Sequence, residues 1–223
     1  MKSDGMRVFV AIRPPPSVVE ALVGLASRLS EEIHGRWVPA EQMHLTLRFD
    51  PAVPADAVTR LAEAMRGVAT AGEPFDLSLG VLGAFPSPRR AKVLWVAPAA
   101  TSTPLRGLHG AIEREARSLG LPPETRPFRP HLTLARFRGR HPDLSRRVEE
   151  LSSSGGGGKP IFGAAARPSD QPVDSIGDTR ELRFRVGSIR LWQSVLASGG
   201  ARYRELGVWP LGGPEAGRSE PWD

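Results

Sequence analysis

The apolar positions change period several times along the 223-residue chain, and each change marks an element. Residues 7–12 read as a buried strand, Arg7 being followed by the unbroken apolar run Val8-Phe9-Val10-Ala11-Ile12. Pro14 to Pro16 stop it, and Leu22, Leu25 and Leu29 then follow at helical spacing, with Ser17 and Glu20 suited to a capping box. A turn around Arg36-Trp37-Val38-Pro39 leads to His44-Leu45-Thr46-Leu47, an alternating strand expected to end near Phe49, with Pro51 and Pro54 marking its exit. Asp56 is the expected N-cap of a second helix, whose inner stripe is Val58, Leu61, Met65 and Val68 or Ala69. Alternation returns at Phe75, Leu77 and Leu79 and runs through Gly83 and Phe85 to a turn-rich tip, Pro86-Ser87-Pro88-Arg89-Arg90; residues 92–96 come back as the other arm of a hairpin.

The same order of elements then recurs. Thr103-Pro104 opens a third helix with Leu105, Leu108, Ile112, Ala116 and Leu119 on one face, closed by Gly120 and Pro122. Pro127-Phe128-Arg129-Pro130 introduces a second alternating strand, His131-Leu132-Thr133-Leu134, running to about Phe137. A short helix is expected over 142–151. The stretch from 152 to about 180, rich in Gly, Ser, Pro and Ala, reads as a flexible insertion. Residues 182–195 and 203–209 are expected to close the fold as an antiparallel pair across Ser198-Gly199-Gly200, and residues 212–223 to form a disordered tail.

The repeated tetrapeptide demands a reason, because a given His-Leu-Thr-Leu arises by chance roughly once in 10^5 positions at average usage. Each copy follows a buried strand, around Val8 or Val93, across an interval holding one amphipathic helix. Strand, helix, motif strand, helix is thus written twice, which predicts an internal duplication with two related lobes facing one cleft. In both copies alternation puts the histidine and threonine on one face and the leucines on the other. The predicted fold is α+β: two pseudo-symmetric lobes, each an antiparallel sheet with flanking helices, forming a single domain over residues 1–211.

Composition narrows the chemistry. Cysteine is absent, which excludes disulfides, thiolate metal sites and cysteine nucleophiles and fits a reducing cytoplasm. No apolar run reaches membrane-spanning length, and residues 1–5 lack the apolar segment of a signal peptide. The net charge is +6, with Lys2, Lys92 and Lys159 the only lysines, so the positive charge is almost all arginine. Arginine forks suit a polyanionic partner, although GC-rich coding produces the same bias.

Two histidines with hydroxyls and arginines nearby fit acid–base attack on a phosphate ester. One neutral imidazole accepts a proton while a charged one donates, from opposite sides of phosphorus, and Thr46 and Thr133 can donate to the non-bridging oxygens. A catalytic zinc site usually has three protein ligands, and no third ligand stands at motif spacing beside either copy. His34, His109 and His141 read as incidental. Strict alternation puts Phe49 in the core and Arg48 on the face of His44, either as a phosphate contact or as a solvated strand end. Arg89 and Arg90 read as RNA-backbone contacts or as an ordinary charged tip.

The paired H-x-T-x motifs, Trp37-Val38-Pro39, the stretch from Gly83 to Arg90, Pro127-Phe128-Arg129-Pro130-His131 and Gly199-Gly200-Ala201-Arg202-Tyr203 together resemble the two-histidine (2H) phosphoesterase superfamily. The branch they are most similar to is the RNA 2′,3′-cyclic phosphodiesterases, historically 2′-5′ RNA ligases. The resemblance covers about residues 6 to 211 and implies a two-lobed α+β fold, no metal and hydrolysis of a 2′,3′-cyclic phosphate; a monomer without a cofactor is expected. It implies a substrate that is RNA or a nucleotide with a 2′,3′-cyclic phosphate end. His44 would be the proton donor, His131 the proton acceptor, and Thr46, Thr133 and Arg136 the phosphate-binding residues. Action on another cyclic or 2′-5′-linked nucleotide, or a non-catalytic RNA-binding role, are the alternatives. The sequence departs from the family where Asp50-Pro51 follows Phe49 in place of Leu-Gly, and in the length of the insertion. Alternation also puts Arg136 on the face opposite His131, so a phosphate contact requires the strand to end or bulge before it.

Overall fold

The computed structural model describes residues 5–87, 90–138, 182–198 and 200–213. The expected helix at 142–151, the insertion at 152–180, Arg89, His141 and nearly all of the expected tail lie outside the described residues. The elements run β1 (Met6–Ile12), α1 (Pro16–Ser30), β2 (Arg36–Trp37), β3 (Leu45–Val53), α2 (Ala55–Ala71), β4 (Phe75–Phe85), β5 (Val93–Pro98), α3 (Thr103–Ser118), β6 (Leu132–Arg136), β7 (Arg183–Val186), β8 (Ser188–Ala197) and β9 (Gly200–Pro210). Among these described elements no helix is long and apolar enough to cross a membrane.

Helix starts differ from the side-chain caps expected. α1 begins at Pro16 with Pro15 as its N-cap and no capping side chain, so Ser17 falls inside the helix. Proline at the first position has no N–H to satisfy, which removes the need for the Ser17–Glu20 box. α2 likewise follows Pro54, and Asp56 lies in its first turn, paired with Arg60 at 2.8 Å. α3 is capped by the Ser102 hydroxyl, which accepts from the Leu105 amide. β3 continues past Phe49 to Val53, and it carries Pro51 where the pairing with β1 is irregular, a place where proline costs no ladder bond.

All strands among the described residues belong to one mixed-length antiparallel sheet in the order β7-β4-β5-β6-β3-β1-β8-β9, with β2 added beside β6. β1 and β3 pair across α1, and β5 and β6 pair across α3, so the two halves have the same plan. They meet in the middle through Leu45 opposite Leu132, the same position of the two tetrapeptides. That register puts a local pseudo-twofold between the repeats. Where one long strand was expected over 182–195, the chain forms two, because Gly187 breaks it: β7 pairs with β4 and β8 with β1 and β9. β7 and β8 therefore lie far apart along the strand order yet are joined by one residue, which requires the sheet to curl until its ends meet.

The helices cover one face of this curled sheet. Leu22, Leu25 and Leu29 of α1, Leu61 and Met65 of α2 and Leu105 and Ile112 of α3 form one core with Val8, Val10, Leu45, Leu47, Leu132 and Leu134. The helices are exchanged between halves, α1 lying against β6 and α3 against β3. On the other face a small separate apolar cluster, Phe9, Ala11 and Trp192 with Tyr203 against it, lines the cleft.

Candidate active site

The cleft face carries His44 and His131, which immediately precede the paired leucines at the centre of the sheet. Each ring is held the same way. His44 Nδ1–H donates to the carbonyl of Gln42 at 2.7 Å, and His131 Nδ1–H donates to that of Arg129 at 2.7 Å, in each case two residues upstream. Fixing the proton on Nδ1 leaves Nε2 as the nitrogen that carries the lone pair in the neutral ring.

The surroundings of the two rings differ even though their motifs are identical. His44 stacks on Phe9 with centroids 4.7 Å apart and meets Trp192 and Tyr203 edge-on at 5.6 and 5.3 Å. His131 has two aromatic neighbours, Phe85 at 5.1 Å and Trp95 at 6.2 Å. Gly83 makes room for the second of these, since a Cβ there would overlap the Trp95 indole. Burial lowers the His44 pKa to about 4; the Gln42 carbonyl opposes this, while the charges of His131 and Arg136 push it further down. His131 is also lowered, first by burial, with the Arg129 carbonyl opposing and Arg136 adding to the shift. Arg136 thus acts electrostatically on both rings.

The placement of Arg136 follows from a bulge. β5 pairs Leu94 with Ala135 and then Trp95 with Thr133, leaving Leu134 unpaired on β6. The extra residue inverts the alternation: Leu132, Leu134, Ala135 and Phe137 are all buried, and Thr133 and Arg136 share the cleft side. β3 has the same bulge at the same position. β1 pairs Val10 with Arg48 and then Ala11 with Thr46, leaving Leu47 unpaired. Two expectations are overturned here. Phe49 is 37% exposed on the cleft face, at the position in its repeat that Arg136 holds in the other, and Arg48 turns inward to 4% exposure. Inside, Arg48 forks onto Asp50 at 2.6 and 2.8 Å and reaches Glu113 of α3 at 2.7 Å. The guanidinium of Arg7 lies 5.3 Å from the centre of the Phe49 ring.

The structure therefore brings together His44, His131, Thr46, Thr133 and Arg136, both threonines being half-buried. Arg90 is exposed at the hairpin tip and His34 is exposed after α1. Phe9, Trp95 and Trp192 were not singled out from sequence, and Phe85 and Tyr203 entered only as members of longer motifs. Phe9 and Trp95 sit in apolar runs that fill both faces of their strands, so no polar alternation flagged them. Among the described residues no group of three or more His, Asp or Glu side chains is arranged to hold a metal ion.

The curled sheet with helices on one face is a fold shared with solved structures. The chain superposes on E. coli LigT in its apo form with a TM-score of 0.67 at 23% identity, covering 94% of this chain and 99% of that one. It superposes on TT0787 of Thermus thermophilus with a TM-score of 0.69 at 24% identity, covering 94% of this chain and 100% of the other. The chain belongs to the LigT-like phosphoesterase family, whose model matches residues 12–95 and again 96–160, one half of the duplication each. Among its relatives, the RNA 2′,3′-cyclic phosphodiesterase of Aeropyrum pernix is 31% identical over 192 residues, 83% of this chain and 94% of that protein. The one from Archaeoglobus fulgidus is 26% identical, over 92% of this chain and 99% of that protein.

Proposed function

We propose that this chain hydrolyses the 2′,3′-cyclic phosphodiester end of RNA to a 2′-phosphomonoester, by general acid–base catalysis that needs no metal. The observation that carries the reading is the pair of Nδ1-anchored imidazoles, one from each repeat, flanking the β3–β6 junction with unequal basicity. Its relatives carry the name of this activity.

In the proposed reaction Arg136 and the hydroxyls of Thr46 and Thr133 bind the non-bridging oxygens and stabilise the charge that develops on them. His131, less hemmed in by aromatic rings, is the stronger base and takes a proton from the attacking water through Nε2. His44 is the stronger acid once charged and protonates the departing O3′, which leaves phosphate on O2′. Two titrating groups whose environments separate their pKa values are the usual arrangement for this division of labour. In the free protein His44 is neutral at pH 7, so the anionic substrate has to raise its pKa before it can donate. Phe49, exposed across the sheet from Phe9, offers a face on which the terminal base can stack.

The test is hydrolysis of a cyclic-phosphate-ended oligoribonucleotide after exhaustive chelation, with the product isomer identified by NMR. Turnover to a 2′-phosphate is expected. Loss of activity with EDTA and its return with zinc or manganese would reject the metal-free mechanism, and a 3′-phosphate would reject the regiochemistry. The roles separate with a 3′-thio substrate, whose leaving group needs no acid. His44→Ala should recover most of its lost rate on it and His131→Ala should not.

A further inference from the structure

The two bulges are alike in the strand and unlike in what holds them. A bulged residue drops out of the ladder, so its carbonyl needs another donor. In β6 the main chain provides it: Leu134 O accepts from the Val38 amide at 2.8 Å, beside the short pairing of β2 with β6. In β3 a side chain provides it. Leu47 O accepts from Nδ1–H of His109, on α3, at 3.0 Å. One turn further along the same helix Glu113 takes Arg48, the residue next to the bulge, at 2.7 Å. The His109 ring is stacked on Phe128 at 3.8 Å and 6°. Arg48 also donates to Pro122 O at 2.8 Å, and Glu113 accepts from the Glu124 amide at 3.4 Å.

We propose that His109, seconded by Glu113, is a positioning residue that holds the β3 bulge so that Phe49 faces the cleft, and thereby sets the preference for substrates bearing a base. Without the bulge, regular alternation turns Phe49 into the core and Arg48 into the cleft. Each bulge is thus held from the other half, the β6 bulge by the main chain at Val38 and the β3 bulge by a side chain of α3. The consequence for substrate rests on the cyclic phosphodiesterase reading; the consequence for Phe49 does not.

Two measurements test this. The first is independent of activity: 4-fluorophenylalanine at position 49, read by 19F NMR for exposure to solvent. The native protein is expected to give one exposed signal. His109→Ala should add a second, buried signal, and His109→Asn, whose amide nitrogen can stand where Nδ1 stood, should restore the single one. One exposed signal in folded His109→Ala overturns the proposal. Should that variant not fold, His109→Leu, which fills the space without a donor, carries the same comparison.

The second compares an adenosine 2′,3′-cyclic phosphate with glycerol 1,2-cyclic phosphate. Stacking of one base corresponds to about a tenfold effect on affinity. Phe49→Ala should lower the preference for the base-bearing substrate by about that factor, and His109→Ala by several-fold through KM. The double variant should be no worse than Phe49→Ala alone, because both act through one ring. Equal losses on both substrates, or a double variant as poor as the product of the singles, would overturn the proposal. A wild-type protein inert toward both substrates would instead reject the functional reading and leave the 19F result to decide the positioning.

Discussion

Replacing His44 by Phe should make the protein more resistant to mild acid. His44 in the folded state titrates at about 4, against its ordinary value of 6.5, because it is enclosed by Phe9, Trp192 and Tyr203. Its folded pKa is depressed, so the unfolded chain binds the proton first. Stability is undiminished well above pH 6.5 and is lost as pH falls toward 4. Two and a half units correspond to ~3 kcal/mol when fully developed, and at pH 5 the loss relative to pH 7 is ~2 kcal/mol. Phenylalanine keeps the aromatic packing and takes up no proton. The assay is urea unfolding of both proteins at pH 7 and pH 5, a window in which most carboxylates stay ionised. Wild type should lose ~2 kcal/mol more than His44→Phe over that interval. Parallel losses would mean that the ring is not depressed in the folded state, and the account of how substrate charges it would fall with that result.

Three further outcomes are expected. Replacing either His44 or His131 by Ala should lower kcat by about 10²–10⁴-fold with the fold intact, checked by steady-state kinetics beside circular dichroism; a folded variant that keeps half of its activity would remove that histidine from the mechanism. Sulfate, which stays a dianion throughout, should bind up to about tenfold more tightly for each pH unit from 7 to 5, because binding draws one proton onto the pair of rings; calorimetry showing a flat profile would contradict this. Arg48→Met should cost about 3–5 kcal/mol in chemical denaturation, since it leaves Asp50 buried without a cation and the half-buried Glu113 with only Arg117, 4.0 Å away, and the triple variant that also makes both carboxylates apolar should recover most of it. A single variant as stable as wild type would mean that water or Arg117 already compensates.

The duplicated plan was legible because it is carried by local signals: proline stops, helical stripes and two identical alternating tetrapeptides. The bulges were not, because period-2 reading assumes an unbroken ladder and these breaks are held from outside the strand, by Val38 in one case and His109 in the other. Arg48 and Asp50, two charges flanking Phe49 in an otherwise apolar strand, were the available hint, since they can be buried only as a pair. The split of the last long strand was also written in the chain. Leu182, Phe184 and Val186 are buried at even positions and Ile189 and Leu191 at odd ones, a change of phase across Gly187. The rings around His44 come from β1, β8 and β9, and only the tertiary pairing of those strands assembles them.

That same single-residue link at Gly187 bears on how the cleft can move. A pair of jaws opens by rotating two bodies about a few connecting residues. Here the halves are fastened within the sheet at the Leu45–Leu132 junction, through β2 beside β6, and again where β7 runs into β8, so that the sheet is nearer to a ring than to tongs. A ring has no hinge. The gap between the two imidazoles is consequently set by strand register before any phosphate arrives, and what adapts to different RNA ends must be side chains and loops at the rim.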